Sequence, residues 1–218
     1  MSKFAGKEQI LAQFKHGQTI MIGGFLNVGA PETLISYLLE KNAENLTLVG
    51  NDSAYRDKGI GHLIGNGRVS KIVASYVGAN PDTVKLKEQG KMAVELVPQG
   101  TLAERIRCSA AGLGGVLTPT GVGTIVEEGK EKKVLDGKTY LLERAIKADV
   151  ALIKAWKADA YGNLVYRRSS RNFNPLMAGA AKTVIVEAEQ IVEVGSLDPD
   201  EIMTPGVLVN MILDNKGA

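Results

Sequence analysis

The stretch Thr19-Ile20-Met21-Ile22-Gly23-Gly24-Phe25-Leu26-Asn27-Val28-Gly29-Ala30-Pro31 constrains this chain more than any other. Its first four residues are apolar or β-branched and read as a short buried strand that a glycine turn stops abruptly. Pro31 stands where a helix should begin, since its fixed φ suits the first helical position and its missing N–H is no loss there. Leu34, Ile35, Leu38 and Leu39 then recur at helical spacing and give that helix one apolar face. Ala30, in the N-cap place, has no side-chain acceptor for the first-turn amides. Several backbone N–H groups are therefore expected to lack a local partner, which suits an anion or a polarised carbonyl oxygen. The same bend serves many α/β proteins merely as a tight turn, and the residues alone allow both readings.

Strand-like runs at Asn45–Val49, Lys71–Val77 and Met92–Val97 alternate with helical patterns at Lys7–Lys15, Ile60–Ile64 and Thr101–Cys108. Joined by short glycine or proline turns, they predict an α/β fold with a mainly parallel open sheet and helices on both faces. The 25 glycines among 218 residues exceed the usual share of about 7% and fit many tight βα turns. Beyond residue 109 the rhythm changes. Ala110 to Gly123, with five glycines and a proline, reads as an ordered loop. Lys133–Leu135, Asp136-Gly137 and Lys138–Leu142 predict a β-hairpin with a type I′ turn. Asp149–Trp156 and Thr183–Ala188 read as further buried strands, Pro175–Lys182 as a short helix, and Val207–Leu213 as the closing element. With no repeat and no linker, residues 1–218 are expected to form a single domain.

A balance of 26 basic against 24 acidic residues gives no field for nucleic acid and no polybasic membrane stripe. No apolar run approaches the roughly 18 residues of a membrane span, and Met1-Ser2-Lys3-Phe4 lacks the apolar core of a secretory signal. The lone Cys108 excludes an internal disulfide and fits a reducing compartment, so a soluble cytoplasmic protein is expected. His16 and His62 with one cysteine cannot build a typical zinc site. Two nucleotide motifs nearly fit and fail. Gly59-Ile60-Gly61 follows no buried strand, and Gly123 to Lys130 has the wrong spacing and Glu131 where a phosphate loop needs Ser or Thr.

Gln99 and Asn51 are better candidates, being neutral amides at the ends of buried strands, where α/β proteins place ligands. An amide there can donate to a carboxylate or carbonyl oxygen without changing the charge of the site. Arg167-Arg168-Ser169-Ser170-Arg171-Asn172-Phe173-Asn174-Pro175 is the one basic cluster. It reads as a solvated loop, as a contact for the phosphate groups of a ligand, or as a contact for an acidic surface on a partner chain.

Gly-Gly-Phe, three residues, Gly, one residue and Pro, directly after an apolar strand, resembles the signature of the alpha subunit of family I coenzyme A transferases. Pro98-Gln99-Gly100-Thr101-Leu102-Ala103-Glu104-Arg105, Asn51, Lys154–Asp159 and the arginine run are similar to the same family, so the likeness extends from about Gly17 to the C-terminus. One departure is His16 before Gly17, where the family usually has Asp or Asn.

The resemblance implies that Gly24, Phe25, Leu26, Asn27, Val28, Gly29 and Ala30 form the coenzyme A binding segment, with Asn51 and Gln99 in support. It implies no permanently bound cofactor, coenzyme A and acyl-coenzyme A being substrates. The family's nucleophile is a glutamate in a Ser-Glu-Asn-Gly type motif of a beta subunit, and no such motif occurs here. A partner beta subunit, commonly in a heterotetramer of two alpha and two beta chains, is therefore implied. Asn51-Asp52, Asn80-Pro81-Asp82 and Gly112-Leu113-Gly114-Gly115 resemble the acetate/butyrate–acetoacetate enzymes more than the succinate-using ones. Two rivals are a sugar-phosphate isomerase or deaminase, for which no convincing acid and base are found, and a non-catalytic ligand-binding domain.

Overall fold

Ile20 and Ile22 point to one side of their strand and Met21 to the other, and each finds its own apolar layer, as a period of two requires. The computed structural model describes residues 2–214. In chain order its first half comprises β1 (Phe4–Ala5), α1 (Lys7–Leu11), β2 (Thr19–Ile22), α2 (Glu32–Glu40), β3 (Leu46–Val49), α3 (Ile60–Gly65), β4 (Val69–Ala74), α4 (Pro81–Glu88), β5 (Ala93–Leu96) and α5 (Gln99–Ala110). The second half comprises β6 (Gly115–Thr118), β7 (Lys132–Leu135), β8 (Lys138–Arg144), β9 (Ala148–Asp159), β10 (Leu164–Val165), α6 (Asn174–Ala178), β11 (Ala181–Val192) and β12 (Met211–Leu213).

The main sheet runs β1-β12-β11-β9-β2-β3-β4-β5, every neighbouring pair parallel, and β10 folds back antiparallel on β9. Leu34, Ile35 and Leu38 of α2 and Leu63 and Ile64 of α3 cover the face that carries Ile20, Ile22, Leu48, Ile72 and Leu152. Leu102 and Ile106 of α5 and Met177 of α6 cover Met21, Val49, Val73, Ile153 and Val186 on the other. A fully buried side chain of this size contributes about 1.5–3 kcal/mol, so these two layers supply the main driving force. The expected open parallel sheet with helices on both faces is what forms, and the bends after β2, β3, β4 and β5 share one edge of it.

Two local expectations need correction. The glycine-rich stretch 110–123 is not all loop: Gly115–Thr118 pairs antiparallel with β8, making with β7 a three-stranded sheet in place of a bare hairpin. Gly115 is what permits it, since a Cβ there would collide with the Glu143 carbonyl. The predicted hairpin turn is present, with Asp136 and Gly137 both at positive φ, as type I′ demands. At α2 the helix begins at Glu32, so Pro31 and not Ala30 occupies the N-cap place.

Charge joins the small sheet to the large one. Glu95 on β5 accepts Lys71 of β4 at 2.7 Å and Arg105 of α5 at 2.8 Å, and Arg105 lies 3.9 Å from buried Glu143 on β8, which Lys130 also reaches at 2.5 Å. Burial pushes the Glu95 carboxyl up, but hydrogen bonds from Lys71 and Arg105 outweigh it and hold the group below its ordinary range. A carboxylate depressed in the folded state stabilises above its unfolded pKa of about 4.3, and that contribution is lost as pH falls through the folded value. Glu95→Gln should therefore lower unfolding stability at pH 7 by about 1 kcal/mol, allowing for partial solvent screening. By urea denaturation the difference should shrink towards zero near pH 3, where the parent loses the same charge.

Candidate active site

Side chains from distant elements shape the bend after β2. The Gly24 amide donates to Asn172 Oδ1 at 3.1 Å, and Asn172 Nδ2 donates back to the Val28 carbonyl at 2.9 Å. Asn174 Nδ2 donates to the carbonyls of Gly29 at 3.0 Å and Ser170 at 2.8 Å, while its Oδ1 accepts the Lys154 amide at 2.9 Å. Within the loop, Phe25 and Val28 exchange both backbone hydrogen bonds, and Ala30 donates to the Asn27 carbonyl. Gly24 (φ 129°) and Gly29 (φ 75°) take backbone that other residues resist. A Cβ on Gly29 would also lie 2.7 Å from the Ser170 carbonyl.

Leu26 adopts left-handed backbone (φ 52°) without being glycine, at a cost of roughly 1–2 kcal/mol. Asp52 offsets it: its Oδ2 accepts the Leu26 amide at 2.7 Å. The same carboxylate accepts Asn51 Nδ2 and the Ala54 amide, each at 2.7 Å, so this buried group is met by three N–H groups and, among the described residues, by no cation. Asn51 in turn accepts Gln99 Nε2 on its Oδ1 at 2.6 Å. The two amides singled out in the sequence thus meet, and a continuous relay runs Gln99–Asn51–Asp52–Leu26 into the glycine loop. Asn51, 3% exposed, acts within that relay, whereas Gln99 is exposed and opens α5 in place of ending a strand.

Beside the loop lies a cavity of about 270 Å³ lined by Phe25, Gln99, Ala103, Asn172, Phe173 and Leu176. It joins the glycine loop, the candidate glutamine and the far end of the basic run in one apolar recess with two amides. A cavity of about 290 Å³ at the small sheet has a charged lining whose Glu95, Arg105, Lys130 and Glu143 already pair among themselves, so its chemistry is structural. Elsewhere in the buried layer, Tyr166 hydrogen-bonds Thr204 at 2.7 Å. Burial raises its phenol far above the ordinary range against the opposing pull of that bond, leaving it neutral.

The first-turn amides of α2 are not vacant. Buried Glu187, on β11, accepts the amides of Thr33 at 2.8 Å and Leu34 at 3.2 Å, with Lys154 Nζ 3.4 Å from its other oxygen. Protein carboxylate therefore occupies the anion position expected there, as the positive helix end favours. Glu32, on the same turn, accepts the Gly59 amide. What remains is smaller and lies in the loop: among the described residues the amides of Asn27 and Gly29 have no acceptor, and Asn27 Oδ1 is buried without a partner.

Sequence reading missed Asp52, Asn172, Asn174 and Glu187. A charged residue within the buried run Val184-Ile185-Val186-Glu187-Ala188 was the available signal for the last. The two asparagines lie in the run noticed for its arginines. Arg167, Arg168 and Arg171 themselves are exposed on the rim beside the loop.

Residues 7–215 match a sequence model described as Coenzyme A transferase. The chain is 56% identical over 200 residues to the alpha chain of an acetate CoA-transferase of Escherichia coli K12, covering 92% of this chain and 91% of that one. It is 53% identical over 212 residues to the alpha chain of an acetoacetyl-CoA:acetate/butyrate CoA transferase of Clostridium acetobutylicum, covering 97% of each. The corresponding chain of a succinyl-CoA:3-ketoacid coenzyme A transferase of Helicobacter pylori is 47% identical over 205 residues, 94% of this chain and 88% of that one. Among solved structures, an acyl-CoA transferase from Escherichia coli O157:H7 in a thioester complex with CoA superposes with a TM-score of 0.87 at 23% identity. All of this chain is covered there but only 48% of that one, so the chain spans about half its length. At such identity the likeness concerns the fold alone. With the family model spanning nearly the whole sequence and relatives above half identity, the chain belongs to the coenzyme A transferase family.

Proposed function

We propose that this chain is the alpha subunit of a short-chain acyl or 3-oxoacid coenzyme A transferase, moving coenzyme A between acetoacetate and acetate or butyrate. The observation that carries the reading is the loop Gly24–Ala30, fixed from outside by Asn172, Asn174 and Asp52, with two unpartnered amides beside a recess that reaches Gln99. Identities of 56% and 53% to chains named for acetate and acetoacetyl-CoA, against 49% and 47% for succinyl-CoA enzymes, favour these acids. Succinate is the alternative acid. The chain is read as one domain in the cytoplasm, in a heterotetramer of two alpha and two beta chains.

In the proposed cycle a glutamate carboxylate supplied by the beta chain attacks the thioester carbonyl and expels coenzyme A thiolate, leaving a mixed anhydride. The thiolate attacks the glutamyl carbonyl of that anhydride, releases the first acid and stays as an enzyme thioester. The acceptor acid reverses the two steps. Each addition places negative charge on a carbonyl oxygen, and the Asn27 and Gly29 amides are the donors assigned to it. One such donor is worth about 10²–10³ in rate. Gly24, Phe25, Leu26, Asn27, Val28, Gly29 and Ala30 bind the thioester end, and Gln99, oriented by Asn51, hydrogen-bonds the acyl group. Glu32, Glu104 and Glu187 are not assigned the nucleophile's part: Glu32 and Glu187 are bonded to backbone amides, and Glu104 to Arg107.

Purified chain mixed with its beta partner, acetoacetate and acetyl-coenzyme A should form acetoacetyl-coenzyme A, and neither chain alone should do so. Turnover by this chain alone, or turnover confined to succinyl-coenzyme A, would overturn the assignment. Gly24→Val places a β-branched side chain at φ 129° and brings its Cβ within 3.4 Å of Ala30. It should cut kcat by more than about 100-fold, the weight of one oxyanion donor, while size-exclusion still shows the two chains associated.

A further inference from the structure

β9 outruns its neighbour β2. Leu152 lies level with Ile22, the last residue of β2, and β9 continues to Asp159. Lys157 is five residues farther on, which at about 3.3 Å per residue places it about 16 Å past that level. There the half-buried ring of Trp156 has Lys157 Nζ 4.2 Å from its centroid and Arg167 Cζ at 5.3 Å. The chain returns along β10, and a single 3-10 turn, Arg168–Arg171, adds two more guanidinium groups.

None of these four cations has a carboxylate within 4 Å among the described residues, whereas Arg56, Arg68, Arg105 and Arg107 are each ion-paired. In a chain whose net charge is only +2, that is a local concentration of uncompensated charge. Arg168 also holds left-handed backbone (φ 52°), a strained state for a long side chain that a structure maintains only when its surroundings enforce it. The turn is joined to the glycine loop, because Ser170 backs Gly29 and shares Asn174 with it. Guanidinium forks and an ammonium group beside an indole face suit phosphate oxygens.

We propose that Lys157 and Arg167 at the face of Trp156, with Arg168 and Arg171 on the adjoining turn, form a subsite for the phosphate groups at the nucleotide end of the thioester substrate. The inference rests on the transferase reading above. The rise of β9 carries Trp156 and Lys157 past the end of β2, and the arginine turn borders the glycine loop through Ser170. Phosphate binding here would hold the nucleotide end of the substrate at that border, remote binding energy serving to orient the reacting end.

Trp156 is the only tryptophan in the chain, so its fluorescence reports on the cluster. The full chain in complex with its beta partner would be titrated with coenzyme A, pantetheine and inorganic pyrophosphate, by fluorescence and by calorimetry, with Trp156→Phe as the signal control. Coenzyme A and pyrophosphate should both perturb Trp156 and compete, and coenzyme A affinity should fall steeply with salt. Arg168→Ala/Arg171→Ala should weaken coenzyme A at least tenfold and leave pantetheine unchanged. Arg168→Gly, which relieves the left-handed backbone, should raise the melting temperature and still lose coenzyme A affinity.

Unchanged coenzyme A affinity in both variants would overturn the subsite. If those variants instead lost assembly with the beta partner while binding coenzyme A normally, the cations would belong to an acidic protein surface. Failure of the parent complex to bind either coenzyme A or pantetheine would overturn the transferase reading itself, and the subsite with it.

Discussion

The site depends on two asparagine side chains that treat a loop as if it were a strand partner. A seven-residue glycine bend has no regular ladder to satisfy its backbone, and each group of it that is buried and left unmet would cost about 1–3 kcal/mol. Asn172 and Asn174 supply both donors and acceptors, one bonding Gly24 and Val28, the other Gly29. Asp52 adds the acceptor that keeps Leu26 left-handed. Once these bonds are made, the loop has few conformations left. The two amides that stay unpartnered are then fixed in position before any ligand arrives, which is the condition for stabilising developing charge without reorganisation.

The helix behind the loop plays a different part from the one its sequence suggests. Its positive end is neutralised by Glu187 from a strand two places away in the sheet, and Lys154 in turn faces that carboxylate. α2 is thereby tied to β11 and β9 at the level of the loop. An external anion at this helix start would have to displace a buried carboxylate, at a cost of several kcal/mol for the charge left behind. The unpartnered amides of Asn27 and Gly29 and the recess beside Gln99 lie forward of that helix start, where the proposed ligand chemistry is placed.

Much of this was legible in sequence because short-range patterns set it. The strand at Thr19–Ile22, the helix after Pro31, the Asp136-Gly137 turn and the choice of Asn51 as a strand-end amide all follow from periodicity, turn chemistry and the rule that ligands gather at strand ends. What escaped was long-range. Glu187 lies 154 residues from the amide it caps, and Asn172 lies 148 from Gly24. No local pattern announces such partners. The strand at Gly115–Thr118 was hidden for a related reason, since its one glycine, Gly115, serves close approach to β8 and the short run carries no alternation of its own.

The central claim is that, among the described residues, Asn27 and Gly29 present the loop amides left for a ligand, while Gly24 and Leu26 are committed to Asn172 and Asp52. Amide chemical shifts of these four residues, followed by NMR in the labelled chain within its complex as acetyl-coenzyme A is added, test it most directly. The expected result is large shifts at Asn27 and Gly29 with Gly24 and Leu26 nearly stationary. Shifts confined to amides elsewhere in the sheet, with Asn27 and Gly29 unmoved, would contradict it.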